Sequence, residues 1–325
     1  TVLLVVRNGR RFVEEAVESI LTQTYTAFDL LIYDEASEDG TRDVLSRYAK
    51  QDSRITLRFV DHTGKAASLN AGIAGIATEY TALMDADDVA LPERLERQVA
   101  FLDAQPDLFA VGSQVAIIDA EGRRTRLGRR LPVGRGVVRM ATHERLWGPV
   151  YTPTVMMRTT LARQVGPFRP ILPSDDFEYW LRTSERFAMD NVDEVLLHYR
   201  RHDGNVSGLR GRRRHDLDWN IAARTVERRT TGRDVPPGDA PFHLAEWRGV
   251  VPAVGYRLLS LAYAEAMLFG REQRDEVDWN ALREPFGGDP ARGCGGGSRW
   301  CTLAAGLACL DEGARSCGPV PRGVA

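Results

Sequence analysis

Three carboxylates stand close together in Asp85-Ala86-Asp87-Asp88, directly after the short apolar run 80–84. Carboxylates that lie close together raise each other's pKa, so such a cluster needs a positive partner. A hard divalent cation, held by one or two carboxylates and open elsewhere to phosphate oxygens, would supply it. The alternative is a polar turn that caps a helix starting at Pro92. One Asp would satisfy that cap, so three favour a metal.

The elements that must position these carboxylates form a regular alternation. Apolar runs and helical spacing predict strands at 2–6, 30–33, 55–60 and 80–84 and helices at 12–21, 41–50 and 65–77. This order is typical of a mostly parallel sheet with helices on both faces. Ligands bind such sheets beyond the carboxyl ends of the strands. Since Asn8, Asp34 and Asp85 each follow a strand, we expect them at one edge.

The pattern is less regular after the helix predicted at 92–104. We predict a strand at 109–118, an Arg-rich loop at 123–135, a helix after Ser174 and a strand at 192–199. Trp180 lies at core spacing in the predicted helix, whereas Trp147 could contact an acceptor. These elements complete a first domain, for which we predict the range 1–207. A helical extension is predicted at 208–290 and a disordered tail rich in Gly, Cys and Arg at 291–325.

The bulk composition is that of a soluble globular protein, with 43% hydrophobic and 27% charged residues. The net charge of -2 gives no case for nucleic-acid binding, and no apolar run approaches the length that spans a bilayer. The start reads as a strand and lacks the basic region of a signal peptide. All four cysteines lie in the tail without zinc spacing, so we expect a reducing, cytoplasmic setting.

Five short strings follow one another in order between residues 5 and 88. They are Val5-Val6-Arg7-Asn8-Gly9, 19–25, 34–41, Asn70-Ala71-Gly72 and Asp85-Ala86-Asp87-Asp88. By these strings the chain resembles the family 2 glycosyltransferases, which have the α/β GT-A fold, a Rossmann-like nucleotide-diphospho-sugar transferase fold. The resemblance covers residues 1–207. Val6-Arg7 stands where Pro and an aromatic residue are usual, so contacts to the base can differ.

The resemblance implies a site for the nucleotide sugar. Val6, Asn8 and Asp34 match the cradle of the base and ribose, and we expect the residues Asp39 to Thr41 to cap the helix that follows. Lys65 lies where family members often have a residue that approaches the nucleotide. An ordinary surface lysine explains this position equally well. Asn70 belongs to the matched strings and is assigned to the same site.

A metal site is implied by the match of Asp85 and Asp87 to the Asp-x-Asp motif. Asp87 would ligate Mn²⁺ or Mg²⁺, and Asp85 would contact the ribose or a metal-bound water. Asp88 is expected to cap the next helix. The resemblance implies that such a metal would neutralise the charge that develops on the diphosphate as the sugar–phosphate bond breaks.

The string 198–207 resembles a family string that follows the last strand. It implies that His202 reaches the diphosphate or completes the metal shell, and that Arg200 or Arg201 pairs with phosphate oxygens. A solvated loop histidine is the alternative for His202.

The catalytic base is implied by Ser174-Asp175-Asp176, which resembles the family's Glu-Asp string. Asp176 aligns with the base that deprotonates the acceptor hydroxyl, and Asp175 replaces the usual Glu. An acidic first turn of a helix is the alternative for Asp175. Because the two are adjacent, their titrations can couple and their roles can be swapped.

The resemblance therefore predicts a metal-dependent, inverting transfer of sugar from a nucleoside-diphosphate sugar, expected to be a UDP-sugar. The acceptor would be a hydroxyl of a saccharide or a lipid-linked molecule in the synthesis of cell-surface polysaccharide or glycoconjugate. One alternative is a nucleotidyltransferase, which would need a Gly-rich phosphate loop that Asn8-Gly9-Arg10-Arg11 matches poorly. Another is an inactive nucleotide-sugar-binding subunit.

Two basic stretches, 123–135 and 210–214, have two explanations each. Each could be a solvated face, or could attract an anionic acceptor or a membrane surface. On this basis we expect a cytoplasmic protein with peripheral contact at the inner face of the membrane.

Overall fold

A computed structural model of the chain describes residues 1–143, 148–205, 212–238, 244–247, 249–251 and 259. The chain divides after Arg214 into two units. The predicted boundaries at 207 and 290 stay predictions. Trp147, the side chains of the basic run 210–214, more than half of the predicted helical extension at 208–290 and the tail at 291–325 lie outside the described residues.

The first part of the chain alternates strands and helices as predicted. Its elements are β1 (Val2–Val6), α1 (Val13–Leu21), β2 (Leu30–Glu35), α2 (Thr41–Gln51), β3 (Ile55–Val60), α3 (Lys65–Gly75), β4 (Tyr80–Asp85), β5 (Val89–Ala90) and α4 (Arg94–Asp103). The elements that follow are β6 (Leu108–Ile118), β7 (Arg124–Leu127), α5 (Arg135–His143), β8 (Met156–Arg158), α6 (Thr159–Val165), α7 (Asp175–Ser184), β9 (Ala188–Arg200) and α8 (Arg212–Thr231).

The strands form one nine-stranded sheet in the order β3-β2-β1-β4-β8-β6-β9-β5, with β7 paired to β6. β1 lies parallel to both β2 and β4, so Val6 pairs with Asp34 and Val5 with Asp85. The carboxyl ends of these three strands therefore lie at one edge of the sheet. This is the arrangement that the alternation predicted.

The other half of the sheet contains antiparallel pairs that the sequence did not predict. The short strand β8 lies antiparallel to both β4 and β6. As a result β4 and β6 run in the same direction, and β9 runs parallel to β6. The end of β9, where Arg200 pairs with Ile118, therefore lies at the same edge as Asp85.

Two apolar clusters cover the two faces of the sheet. Val17 of α1, Leu45 of α2 and Leu102 of α4 belong to the cluster on one face. Ile73 of α3 and Trp180 of α7 belong to the cluster on the other. Trp180 is 1% exposed, which confirms its expected place in the core. Burying a large apolar side chain contributes about 1.5–3 kcal/mol, so these faces hold the helices in place.

One prediction about a basic segment is wrong. The expected loop at 123–135 contains β7, and α5 begins at its end. β7 exists because its backbone pairs with Ala116, Ile117 and Ile118 of β6, which no local pattern reveals. Helix α8 lies within the range 208–290, for which a helical extension is predicted, and in it Arg224 pairs with the buried Glu227 at 2.6 Å. Among the described residues, no helix combines the length and the apolar character needed to cross a membrane.

Candidate active site

Asp85 ends β4 and meets a lysine from the start of α3. The Nζ of Lys65 donates a hydrogen bond to Oδ1 of Asp85. Burial lowers the pKa of Lys65, but the charges of Asp85, Asp175 and Asp176 outweigh it, and the net pKa is raised. Lys65 therefore stays protonated and supplies a fixed positive charge at this edge.

Asp87 is held from the far side of the turn by residues that follow β9. Its Oδ2 lies 3.0 Å from Nε2 of His202 and accepts a hydrogen bond of 2.9 Å from Nδ2 of Asn205. Nδ1 of His202 accepts the N–H of Gly204 at 3.1 Å, so a neutral His202 carries its proton on Nε2 and donates it to Asp87. Burial and the charge of Asp85 raise the pKa of Asp87, whereas His202 and Lys65 lower it.

The sequence predicted that Asp88 caps the next helix, and this prediction is wrong. α4 begins at Arg94, and Oδ1 of Asp88 instead accepts the backbone N–H of Arg200 at 2.8 Å. The side chain is 1% exposed, and its Oδ2 is buried without a partner in the described part of the chain. Burial and the charges of Asp87 and Asp85 raise the pKa of Asp88 well above its ordinary value.

These three aspartates have the composition of a site for a hard cation. One carboxylate oxygen from each of Asp85, Asp87 and Asp88 can be chosen so that all lie within 4.8 Å of one another. Oxygen ligands suit Mg²⁺ and Mn²⁺. His202 lies outside this group, but the 3.0 Å between its Nε2 and Oδ2 of Asp87 is about the spacing of neighbouring ligands on one octahedral ion, for metal–ligand bonds of about 2.1 Å.

A second acidic pair begins helix α7. Asp176 is oriented by two hydrogen bonds, from the hydroxyl of Thr152 to Oδ2 at 2.9 Å and from the N–H of Phe177 to Oδ1 at 2.7 Å. Thr152 is in turn fixed by Nε1 of Trp180 at 2.9 Å. For Asp175, burial and the charge of Asp176 raise the pKa to about 6, although Lys65 lowers it.

The two acidic groups converge on one lysine. The charge of Lys65 acts on Asp85 and Asp87 at the end of β4, and also on Asp175 at the start of α7. Residues far apart in the sequence are thus brought into one cluster. The cluster has a cationic centre and an excess of negative charge, as a site that recruits a divalent cation requires.

The predicted nucleotide cradle lies at the ends of β1 and β2. Asp34 is fully buried, and its Oδ2 accepts Nε of Arg42 at 2.6 Å, while its Oδ1 has no partner within the described residues. A buried acceptor without a donor is costly unless a ligand supplies one. The side chain of Val6 is buried in the core, so only its backbone faces this site.

Asn8 and Asn70 act within the protein framework. Asn8 has a φ of 53° and links two loops, because its N–H donates to Ser37 and its Oδ1 accepts the N–H of Glu38, both at 2.9 Å. Both ends of the Asn70 amide bind the backbone of Phe168, at 2.9 and 2.7 Å. Asn70 thereby fixes α3 against the segment that leads to α7.

Arg200 is buried and donates in several directions. Its Nε donates to the main-chain oxygen of Asp87 at 2.7 Å, and its Nη2 donates to Glu15. Its Nη1 lies 3.3 Å from the main-chain oxygens of both Asp119 and Ala120. The guanidinium is 1% exposed, so the structure places Arg200 beneath the Asp87 turn.

Sequence reasoning missed several residues of this site. Thr152 and Arg42 stand in stretches without a chemical motif, and only the fold brings them to Asp176 and Asp34. Asn205 belongs to the string after β9, so its polarity and position were a usable signal. Phe12 stands at the start of the helix predicted at 12–21, and its ring lies 4.7 Å from that of His202.

Comparison with known proteins identifies the family of this chain. The family model of glycosyl transferase family 2 matches residues 1–166. The putative glycosyltransferase EpsE of Bacillus subtilis is 32% identical over 203 residues, covering 60% of this chain and 70% of EpsE. The amylovoran biosynthesis glycosyltransferase AmsE of Erwinia amylovora is 28% identical over 216 residues, covering 66% of this chain and 77% of AmsE.

Solved structures share the fold. The fragment 1–349 of TarS from S. aureus, in complex with UDP-GlcNAc, has a TM-score of 0.58 and 15% identity, covering 90% of this chain and 81% of that fragment. The mannosyltransferase PcManGT of Pyrobaculum calidifontis, in complex with GDP-Man and Mn²⁺, has a TM-score of 0.52 and 18% identity, with coverage of 96% and 79%. The expected GT-A fold is confirmed. The chain belongs to glycosyl transferase family 2 and is a glycosyltransferase.

Proposed function

We propose that the chain transfers a sugar, with inversion, from a nucleoside-diphosphate sugar to a hydroxyl group of a saccharide or lipid-linked acceptor. The observation that carries this proposal is the convergence of the Asp85–Asp87 turn and the Asp175–Asp176 pair around Lys65. One group suits a metal-bound diphosphate, and the other suits an acceptor hydroxyl. Polysaccharide biosynthesis is the pathway class that the name of AmsE supports.

In this proposal Asp87 and His202 hold Mn²⁺ or Mg²⁺, with Asp85 beside them. The bound metal would neutralise charge on the departing diphosphate. Lys65 adds a second positive charge next to Asp85. Arg200 acts through the backbone of Asp87, since its guanidinium is occupied by protein acceptors.

The nucleotide would lie over the ends of β1 and β2. The unpartnered Oδ1 of Asp34 would accept an N–H from the base, while the backbone from Val6 to Asn8 lines the same edge. We take a UDP-sugar as the first donor to test, with support from the UDP-GlcNAc complex of TarS. A GDP-sugar is the competing donor, because PcManGT was solved with GDP-Man.

Asp176 is the proposed base that takes the proton of the attacking hydroxyl. Its two hydrogen bonds, from Thr152 and from the N–H of Phe177, fix its orientation for that role. Asp175 would contribute charge and can exchange roles with Asp176. A cytoplasmic location with peripheral contact at the inner face of the membrane stays a prediction.

The test begins with a thermal-shift panel of UDP-, GDP- and dTDP-sugars in the presence of Mn²⁺. A donor identified in this way is then used for turnover with Asp87→Ala and Asp176→Asn. We expect donor binding without transfer in Asp176→Asn, and loss of metal-dependent turnover in Asp87→Ala. Full turnover of Asp87→Ala after metal removal would contradict the metal role, and an unchanged kcat for Asp176→Asn would move the base to Asp175.

A further inference from the structure

The segment 122–143 carries an unusual charge for this chain. It contains seven arginines and no Asp or Glu, although the whole chain has a formal net charge of -2. The arginines are Arg123, Arg124, Arg126, Arg129, Arg130, Arg135 and Arg139. The sequence alone left open whether this charge is a solvated face or binds an anion.

Several of these arginines have partners inside the protein. Arg123 pairs with Asp119 at 2.8 Å and Arg130 with Asp193 at 2.6 Å. Arg129 donates to the main-chain oxygen of Gly148 and Arg135 to the side chain of Gln105. These four side chains therefore have a structural use.

Arg124 and Arg126 differ from them. Both stand in β7, whose four residues are all exposed. Within the part of the chain that the structure describes, neither makes an ion pair or a hydrogen bond through its side chain. Two guanidinium groups that have no ion-pair partner among the described residues thus lie two residues apart on one short strand, and each can bind a phosphate or carboxylate in a bidentate manner.

The turn before β7 contacts the proposed donor and metal site. The main-chain oxygens of Asp119 and Ala120 accept from Arg200, which also holds the backbone of Asp87. Glu121 in the same turn pairs with Arg11 of the β1–α1 loop at 3.3 Å. The β6–β7 hairpin is therefore anchored directly beside the Asp87 turn.

The segment after β7 leads to the proposed base. The hydroxyl of Tyr151 donates to the main-chain oxygen of Arg129 at 3.2 Å. The next residue, Thr152, donates to Asp176 at 2.9 Å. β7 is therefore connected at one end to the metal turn and at the other to the segment that orients Asp176.

We propose that Arg124 and Arg126 bind the acceptor, and that this acceptor carries phosphate or carboxylate groups near its reacting hydroxyl. The inference rests on the proposed transfer reaction and names its acceptor class. The donor diphosphate is already served by the proposed metal and by Lys65, so it does not explain the two arginines. An acidic saccharide and a lipid diphosphate share the required chemistry.

The test compares charged and neutral probes on the full chain. The pairs are a trigalacturonate and the corresponding neutral galactose trisaccharide, and geranyl diphosphate and geraniol. Binding is measured for the wild type, for the double variant Arg124→Ala/Arg126→Ala and for the control Lys50→Ala/Arg186→Ala, which removes the same charge from exposed positions elsewhere. Circular dichroism confirms that each variant is folded.

We expect the wild type and the control to prefer one charged probe over its neutral partner. The double variant should lose about tenfold to a hundredfold in affinity for that probe. Binding of the trigalacturonate would indicate an acidic saccharide as the acceptor, and binding of geranyl diphosphate would indicate a lipid diphosphate. Equal binding of charged and neutral probes, or equal binding by the double variant and the control, would overturn the proposal.

Two further measurements distinguish the proposed acceptor class from binding to a membrane surface and from a failure of the proposed function. Binding only to phosphatidylcholine vesicles that contain phosphatidylglycerol, without binding of the soluble anions, would overturn it in favour of a membrane surface. Binding of UDP-sugar with Mn²⁺ is measured on the same samples. If the wild type binds no nucleotide sugar, the proposed function fails, whereas donor binding without a preference for the anionic probes contradicts only the acceptor class.

Discussion

Nε of Arg200 donates a hydrogen bond of 2.7 Å to the main-chain oxygen of Asp87, so the end of β9 fixes the turn that carries the proposed metal ligand. The backbone N–H of the same arginine binds Asp88 at 2.8 Å, and its Nη2 reaches Glu15 on α1. The ring of Phe12 lies 4.8 Å from the guanidinium carbon. One buried side chain therefore links three segments of the site.

Replacing Arg200 should therefore weaken metal binding from beneath the site. In Arg200→Lys the charge remains but the planar fork is lost, so we expect about tenfold weaker Mn²⁺ binding and a loss of about 2–3 kcal/mol in the free energy of unfolding. Isothermal titration with Mn²⁺ and UDP, and urea unfolding, measure the two effects. Arg97→Ala, an exposed arginine on α4, is the control. Wild-type Mn²⁺ affinity in Arg200→Lys would disprove the positioning role.

His202 should influence metal affinity through Asp87 or by direct ligation. Its Nε2 lies 3.0 Å from Oδ2 of Asp87, so His202→Ala removes either a ligand or the group that orients one. We expect Mn²⁺ affinity to fall about 10–100-fold, measured by titration calorimetry. Asn205→Ala removes only a hydrogen bond to the same oxygen and should have a smaller effect. A larger loss in Asn205→Ala than in His202→Ala would reverse this order of importance.

Asp175 should make stability depend on pH. Its pKa rises from 3.8 to about 6 in the folded protein, because burial and Asp176 disfavour the charged form. The stability that the neutral carboxyl contributes is fully present below about pH 4 and is lost as pH rises to about 6. We therefore compare the free energy of unfolding of Asp175→Asn with that of the wild type at two pH values. The difference in favour of the variant should be about 2–3 kcal/mol larger at pH 7 than at pH 4.

Thermal or urea unfolding of the metal-free protein across this range measures the difference. Asp43→Asn, which changes an exposed carboxylate on α2, is the matched control and should show a flat difference. A flat profile for Asp175→Asn as well would mean that the carboxyl of Asp175 is not perturbed by its surroundings.

Asp34 should determine nucleotide affinity. Asp34→Asn keeps the shape of the side chain but replaces one acceptor oxygen by a donor, next to a buried Oδ1 that lacks a partner in the described structure. We expect about tenfold weaker binding of UDP, with little change in the binding of Mn²⁺ alone. Fluorescence or calorimetric titration of UDP checks this, with Asp43→Asn again as control. Unchanged UDP affinity would mean that the nucleotide base binds at another part of this edge of the sheet.

Local pattern was sufficient for the first half of the fold. Strand and helix periods placed β1 to β4 and α1 to α4 within a few residues, because each is either a continuous apolar run or an amphipathic helix. The strand-end rule then brought Asn8, Asp34 and Asp85 to one edge. The same rules failed for β7, whose Arg-rich sequence has no apolar period of its own.

The sequence by itself determined the types of chemical group present: an Asp-x-Asp turn, an acidic helix start, a histidine after the last strand and a basic stretch. Only the tertiary structure decided what each group touches. It placed Lys65 between the two acidic groups, moved Asp88 from a helix cap to the N–H of Arg200, and buried Arg200 beneath Asp87. The reason is physical: hydrogen-bond partners and burial depend on distances between segments remote in the chain, and strand pairing sets those distances.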